Sequence, residues 1–349
     1  MDARNNLLSC INKGVYERMP TFIFDTSFGM SVLGRPVSDL YSNGFDPELS
    51  ARSISAGRRY LGHDGMVGAT SCGDTRVFGA DVRYYSDRPP MVVRNAFSDP
   101  MRLYTNSPAD MDLITKKLIR SNYLLREKEP DAFIAGCIPS PFLLAAVLRG
   151  LESLMMDLGS GNGYILDLLD FSQTIVQDMN DLMCYDGSCD AILIPGAYDN
   201  VDLIGMDALR RYCINDLRTI KETANEYDMP TIFHPHGSFT EGQGIEALDE
   251  FISIGFGCIY YGENNDHRRM VELTKDSCAL MGGVDTSTTI FVGPDERVIQ
   301  DTADVLEQVD DRRFIFTCSC SVDANLNGER LKTMLDTVRH HGDGGPGRN

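Results

Sequence analysis

The sequence predicts an α/β chain closed into a (β/α)8 TIM barrel, with an N-terminal extension and an inserted hairpin or arm between early strands. Two observations carry this. Eight short apolar, β-prone runs recur along the chain, and longer helical patterns separate them, which is the pattern of parallel strands joined by crossover helices. No repeat of solenoid period and no low-complexity linker interrupts the alternation, so residues 1–342 read as one domain and 343–349 as a flexible tail.

In chain order the strand candidates are "TFIFD" ending at Asp25, "DGMVG" at Gly68, "AFIAG" at Gly136 and "AILI" at Ile194. They continue with "TIFH" at His234, "CIYY" at Tyr261, "ALMGG" at Gly283 and "FIFTC" at Cys318. "GADVRYYSDRPPMVV" lies in the long gap between the second and third runs and reads as the inserted hairpin. "MDALRRYCINDLRTIKETANEY" and "DERVIQDTADVLEQV" read as amphipathic crossover helices, the second capped by Asp295. "GSGNG", residues 159–163, follows a helical pattern rather than a strand, so it is expected to end a helix and not to cradle a nucleotide.

Composition removes several function classes. A formal net charge of −19 repels phosphate-rich partners, so neither nucleic acid nor an anionic membrane surface is expected. No secretory h-region opens the chain, and Arg149 and Glu152 interrupt its most apolar stretch, which points to a cytoplasmic protein without a membrane span. Ten cysteines in such a chain are expected to be reduced, mostly buried and inert. His340 and His341 in the Gly-rich tail are expected to be solvated, and His267 to lie on the surface.

Barrels of this kind place chemistry at the C-terminal ends of their strands. Residues predicted there are His234 and His236 after the fifth run, Glu263 after the sixth, Asp285 after the seventh, and Cys318 and Cys320 after the eighth. In an extended segment, residues two apart face the same side, so His234 and His236 can address one ion. With Cys320 they supply three zinc ligands, Glu263 being the fourth or a group that substrate displaces. Taken singly, each residue has an ordinary reading as a strand-ending polar group, a core thiol or a solvated carboxylate. Taken together, metal binding is the stronger reading. Asp285 and Ser287 either reach the pocket or cap the next helix, and Asp25 and Asp74 near early strand ends are minor candidates for substrate contact.

"HPHGS", "GGVDTSTTIFVGPDERV" and "CSCSVDANLNGERLKTMLDTVRHHG" resemble the uroporphyrinogen decarboxylase superfamily, particularly its methylcobamide:coenzyme M methyltransferase branch. The resemblance covers most of residues 130–342 and implies the same barrel. In that branch zinc is held by a His-x-Cys pair after the fifth strand and a Cys after the eighth, with an acidic residue nearby; the matching positions are His234, His236, Cys320 and Glu263. His236 stands where the branch has Cys. Imidazole in place of thiolate removes a negative charge, which makes the ion a stronger Lewis acid and a bound thiolate less nucleophilic.

The resemblance therefore implies a zinc-dependent methyltransferase that moves a methyl group between a small methylated substrate and the cobalt of a corrinoid (cobalamin) carried by a partner protein. His234 and Glu263 would be catalytic, and Asp285 and Ser287 would contact the cofactor. The substitution at His236 favours a methylated donor over a thiol acceptor of coenzyme M type. Two other readings stay open: a metal-free decarboxylase-like enzyme, and a non-catalytic partner of a corrinoid protein. The decarboxylase reading is weakened because the early region carries one arginine, Arg35, where an Arg-rich motif is characteristic.

Overall fold

Eight parallel strands form the wall of a barrel: β1 (Phe22–Ile23), β2 (Gly65–Val67), β5 (Phe133–Cys137), β6 (Ala191–Gly196), β7 (Thr231–Pro235), β8 (Cys258–Tyr260), β9 (Ala279–Val284) and β10 (Phe314–Cys318). The antiparallel pair β3 (Asp81–Arg83) and β4 (Met91–Arg94) is the inserted hairpin between β2 and β5. These features come from a computed structural model that describes residues 1–70, 74–161, 163–275, 277–309 and 313–343. Each barrel strand pairs in parallel with its successor, and a bridge from Thr21 to Phe316 joins the last strand to the first. All eight runs read from the sequence are strands.

The strands are apolar on both faces because each face is covered. Ala191, Leu193, Ile232, Tyr260, Met281 and Ile315 point into the barrel, while Ile192, Ile194, Phe233 and Phe316 pack outward against the helices. The N-terminal extension closes one end of this interior. Its helix Ala3–Ile11 puts Leu7, Cys10 and Ile11 among the inward-facing residues and so plugs the bottom of the barrel. Arg313 ties this plug to the wall by donating to the Ile11 carbonyl at 3.2 Å.

Three local expectations are corrected. The run from Met206 to Tyr227 is not one regular helix: a π-turn over Arg210–Ile214 joins the helices Val201–Leu209 and Asn215–Glu226, and this keeps Leu209, Cys213, Ile214 and Leu217 all buried. Asp295 is the first residue of its helix rather than the cap, because Pro294 holds the extended cap conformation; the Asp295 carboxylate instead accepts from Arg330 at 2.9 Å. His267 is half-buried, not on the surface, and meets the Tyr261 hydroxyl at 2.7 Å; burial pushes its pKa down to about 4.

Other readings hold. Gly161, with φ +64°, ends the helix Leu151–Ser160. The nine described cysteines are free thiols, and of these only Cys189 and Cys320 are less than fully buried. His340 is exposed on the last helix, which runs to Asp343; the remainder of the expected tail, 344–349, lies outside the described residues. No described helix is long and apolar enough to cross a membrane.

Candidate metal centre

His234 occupies the last inward-facing position of β7. Ile232 faces inward two residues earlier, and the period of two carries His234 to the mouth on the same side. Its ring lies against that of Tyr260, with centroids 3.8 Å apart and planes 18° apart, and Phe24 meets it edge-on. The Tyr260 hydroxyl in turn donates to the Cys318 carbonyl at 2.7 Å, so the ring that supports His234 is fixed from β10.

The Nδ1 atom of His234 donates to the Tyr260 carbonyl at 2.8 Å, and this fixes the tautomer. Its Nε2 is then a lone-pair donor aimed into the mouth. Burial drives the His234 pKa down to about 3, with nearby His236 adding to the effect, so the ring is neutral. Burial also lowers His236, partly offset by the charge of Glu263.

Nε2 of His236 lies 3.3 Å from Nε2 of His234, and Sγ of Cys320 lies 3.8 Å from Nε2 of His236. The ligand atoms of all three residues fall within 4.8 Å of one another. Tetrahedral zinc, with Zn–N of about 2.0–2.1 Å and Zn–S of about 2.3 Å, spaces its ligands roughly 3.4 Å apart for N···N and roughly 3.6 Å for N···S. The His234–His236 and His236–Cys320 spacings are close to these values. Three heteroatom donors converge in a group that could hold a metal ion such as zinc.

The surrounding loops hold this geometry. Gly237, at φ +119°, turns the chain away just after His236, and Asn265 donates from its amide to the Gly237 carbonyl at 2.9 Å while accepting from the Phe239 N–H at 2.6 Å. Ser238 N–H donates to Asp202 at 2.8 Å. On the other side, the Cys320 N–H donates to the Thr286 hydroxyl at 3.1 Å, and the Thr286 N–H donates to the Ser319 hydroxyl at 3.1 Å. The histidine loop is thus tied to the segment after β8 and the cysteine loop to the segment after β9. Burial raises the Cys320 thiol above its usual value, so ion binding must displace a proton.

Glu263 is exposed at the rim and stands outside the three-ligand group, acting on His236 and Cys320 through its charge. Asp285 caps the turn after β9: its carboxylate accepts from the N–H groups of Ser287 at 2.7 Å and Thr288 at 3.1 Å, and from the Thr288 hydroxyl at 2.7 Å. Ser287 is exposed beside it. Asp25 is 4% exposed, and burial raises its pKa to about 7. Asp74 is buried against Arg76 at 2.7 Å, and Arg35 pairs with Asp39 at 2.7 Å.

Sequence reading did not find Tyr260, Asn265, Phe24 or Asp202. Asn265 had a signal in its position after the sixth strand; Tyr260 reads as a core residue of its strand, and its role depends on the neighbouring strand.

The fold and this site define an eight-stranded parallel barrel with a His-His-Cys group at its mouth that could hold a metal ion. The chain belongs to the uroporphyrinogen decarboxylase (URO-D) family, whose model matches residues 3–341. The methylcobamide:CoM methyltransferase MtbA of Methanosarcina mazei is 20% identical over 346 residues, covering 97% of this chain and 98% of that protein. A solved methyltransferase from Methanosarcina mazei superposes with a TM-score of 0.83 at 18% identity, covering 98% of this chain and 99% of the other. A B12-independent methionine synthase from Shewanella sp. W3-18-1 has the same general fold, with a TM-score of 0.55 at 11% identity, over 94% of this chain and 97% of its own.

Proposed function

We infer that the protein is a zinc-dependent methyltransferase that moves a methyl group between a small methylated substrate and the cobalt of a corrinoid carried by a partner protein. The observation that carries this reading is the spacing of His234 Nε2, His236 Nε2 and Cys320 Sγ, which suits one tetrahedral ion at the strand ends of a URO-D barrel. The name of the Methanosarcina mazei relative, a methylcobamide:CoM methyltransferase, supports the reaction class.

Zinc bound there would supply Lewis-acid polarisation of the heteroatom that carries or receives the methyl group. The chain's own part is preorganisation. Burial keeps His234 neutral, and donation from its Nδ1 to the Tyr260 carbonyl orients the ring before any ion arrives. Cys320 supplies the anionic ligand once its thiol proton has left. In this reading Glu263 at the rim, whose charge acts on His236 and Cys320, would take an exchangeable fourth position or receive that proton. Of the two residues assigned to corrinoid contact, Ser287 is the exposed one, whereas the Asp285 carboxylate already accepts three hydrogen bonds.

The ligand set bears on direction. One thiolate and two neutral imidazoles leave the ion more electron-poor than two thiolates would, which favours activating a leaving heteroatom over sharpening a thiol nucleophile. Thiol methylation, named for the relative, is the second reading.

The test is elemental analysis of wild type and Cys320→Ala after dialysis against a weak chelator, paired with methyl transfer to free cob(I)alamin. The expected result is about one zinc per chain in wild type and its loss, with the activity, in the variant. No metal in either protein refutes the proposal.

A further inference from the structure

We propose that Asn265 is a positioning residue of the metal centre: its side-chain amide clamps the histidine loop to the peptide that carries Glu263, so that His236 and Glu263 are placed together. This rests on the metal reading above and adds the device that sets the ligand geometry.

The histidine loop has no ladder of its own. Pairing between β7 and β8 ends at Phe233 and Ile259, and β7 itself stops at Pro235. The backbone groups that follow His236 therefore require other partners. Three consecutive residues find them in side chains from the loops on either side. From the segment after β6, the Asp202 carboxylate accepts from the Ser238 N–H at 2.8 Å. From the segment after β8, Nδ2 of Asn265 donates to the Gly237 carbonyl at 2.9 Å, and its Oδ1 accepts from the Phe239 N–H at 2.6 Å. One residue thus bonds a carbonyl and an N–H two positions apart on its neighbour, as a residue of a parallel strand does. The Asn265 amide continues the pairing of β7 with β8 past the end of both strands.

The same amide reaches the rim carboxylate. A second contact from Nδ2 goes to the Gly262 carbonyl at 3.2 Å, in the peptide group that joins Gly262 to Glu263. One planar group, 6% exposed, therefore spans the loop of a metal ligand and the loop of Glu263. Both a donor and an acceptor are required at once, which an amide supplies and a hydroxyl, carboxylate or methyl group does not.

The other two ligands are held independently. His234 is oriented through the Tyr260 carbonyl and Cys320 through the Thr286 hydroxyl, and neither contact involves Asn265. Its effect falls on His236 and Glu263.

Asn265→Ala tests this in three measurements. Chelator competition should show zinc bound at least about tenfold more weakly, the usual effect of losing a group that orients a ligand. The cobalt(II)-substituted variant should lose intensity in its visible absorption, a signature that a merely structural role does not move. Combined with Glu263→Gln, the loss of zinc affinity should fall short of the product of the two single losses by at least about threefold, because one residue acts through the other. Wild-type zinc affinity, an unchanged cobalt(II) spectrum, or losses that multiply would overturn the proposal. Asn265→Ser carries the same measurements if Asn265→Ala does not fold. Hydrogen exchange on metal-stripped protein separates the clamp from the ion: the Phe239 amide should be protected in wild type and exchange at least about tenfold faster in the variant. That result in a wild type that takes up no zinc refutes the metal reading and upholds the clamp, whereas a zinc-binding wild type with an inert variant refutes the clamp alone.

Discussion

Asp25 offers a quantitative test of how burial at the end of β1 sets the charge of a carboxyl. Its carboxyl is 4% exposed, just after β1, and accepts from the Gly29 N–H at 3.1 Å. Desolvation raises its pKa from 3.8 to about 7, with lesser opposing backbone hydrogen bonds and a contribution from the charge of Asp323. Because the folded value lies above the unfolded one, the stabilising effect of the neutral acid is complete below pH 3.8 and is lost as pH rises to about 7. At 1.36 kcal/mol per pH unit the full effect is about 4 kcal/mol. Asp25→Asn keeps the shape and cannot ionise. Its stability relative to wild type is therefore expected to rise by about 2 kcal/mol between about pH 5.5 and about pH 8. Any fixed cost of burying the amide cancels in that difference, as do Asp199 and Asp216, which also titrate near 6 in both proteins. Urea unfolding of both proteins across this range measures it. A pH-independent difference, or one of opposite sign, would falsify the account of Asp25 as a carboxyl kept neutral by burial.

Two further predictions concern the site. Gly237→Ala places a Cβ 2.5 Å from Asn200 Oδ1 at a φ of +119°. Asn200 caps the helix Val201–Leu209, so strain and a disturbed cap together should cost about 2–4 kcal/mol and weaken zinc binding at least about tenfold; chelator competition and urea unfolding read both, and an unaffected variant rules out the pinned loop. His236→Cys should retain one zinc and move substrate preference from methyl ethers towards thiols, measured as the ratio of the two kcat/KM values. An unchanged ratio removes the argument for the donor direction.

Much of this protein is legible along its chain. The eight strands are readable because a strand in a covered barrel wall is apolar along its length, a pattern that about six residues suffice to display. His234 and His236 are readable as a pair because a period of two is a local property of the chain. The cap of the 159–163 turn and the hairpin after β2 are likewise local. His267 and Asp295 are misread for one shared reason: their partners, Tyr261 and Arg330, are set by packing between elements, which periodicity does not record.

The sequence alone therefore determined the barrel and the residue types that stand at the C-terminal ends of its strands. Tertiary structure decided that Cys320, 84 residues from His236, joins the two histidines with all three ligand atoms within 4.8 Å of one another. It also decided that the Tyr260 carbonyl selects the tautomer of His234, that burial keeps that ring neutral, and that burial lowers the pKa of His236. Periodicity and residue type are written along the chain, whereas distance, burial and electrostatic environment arise only when closure of the barrel brings remote strand ends together.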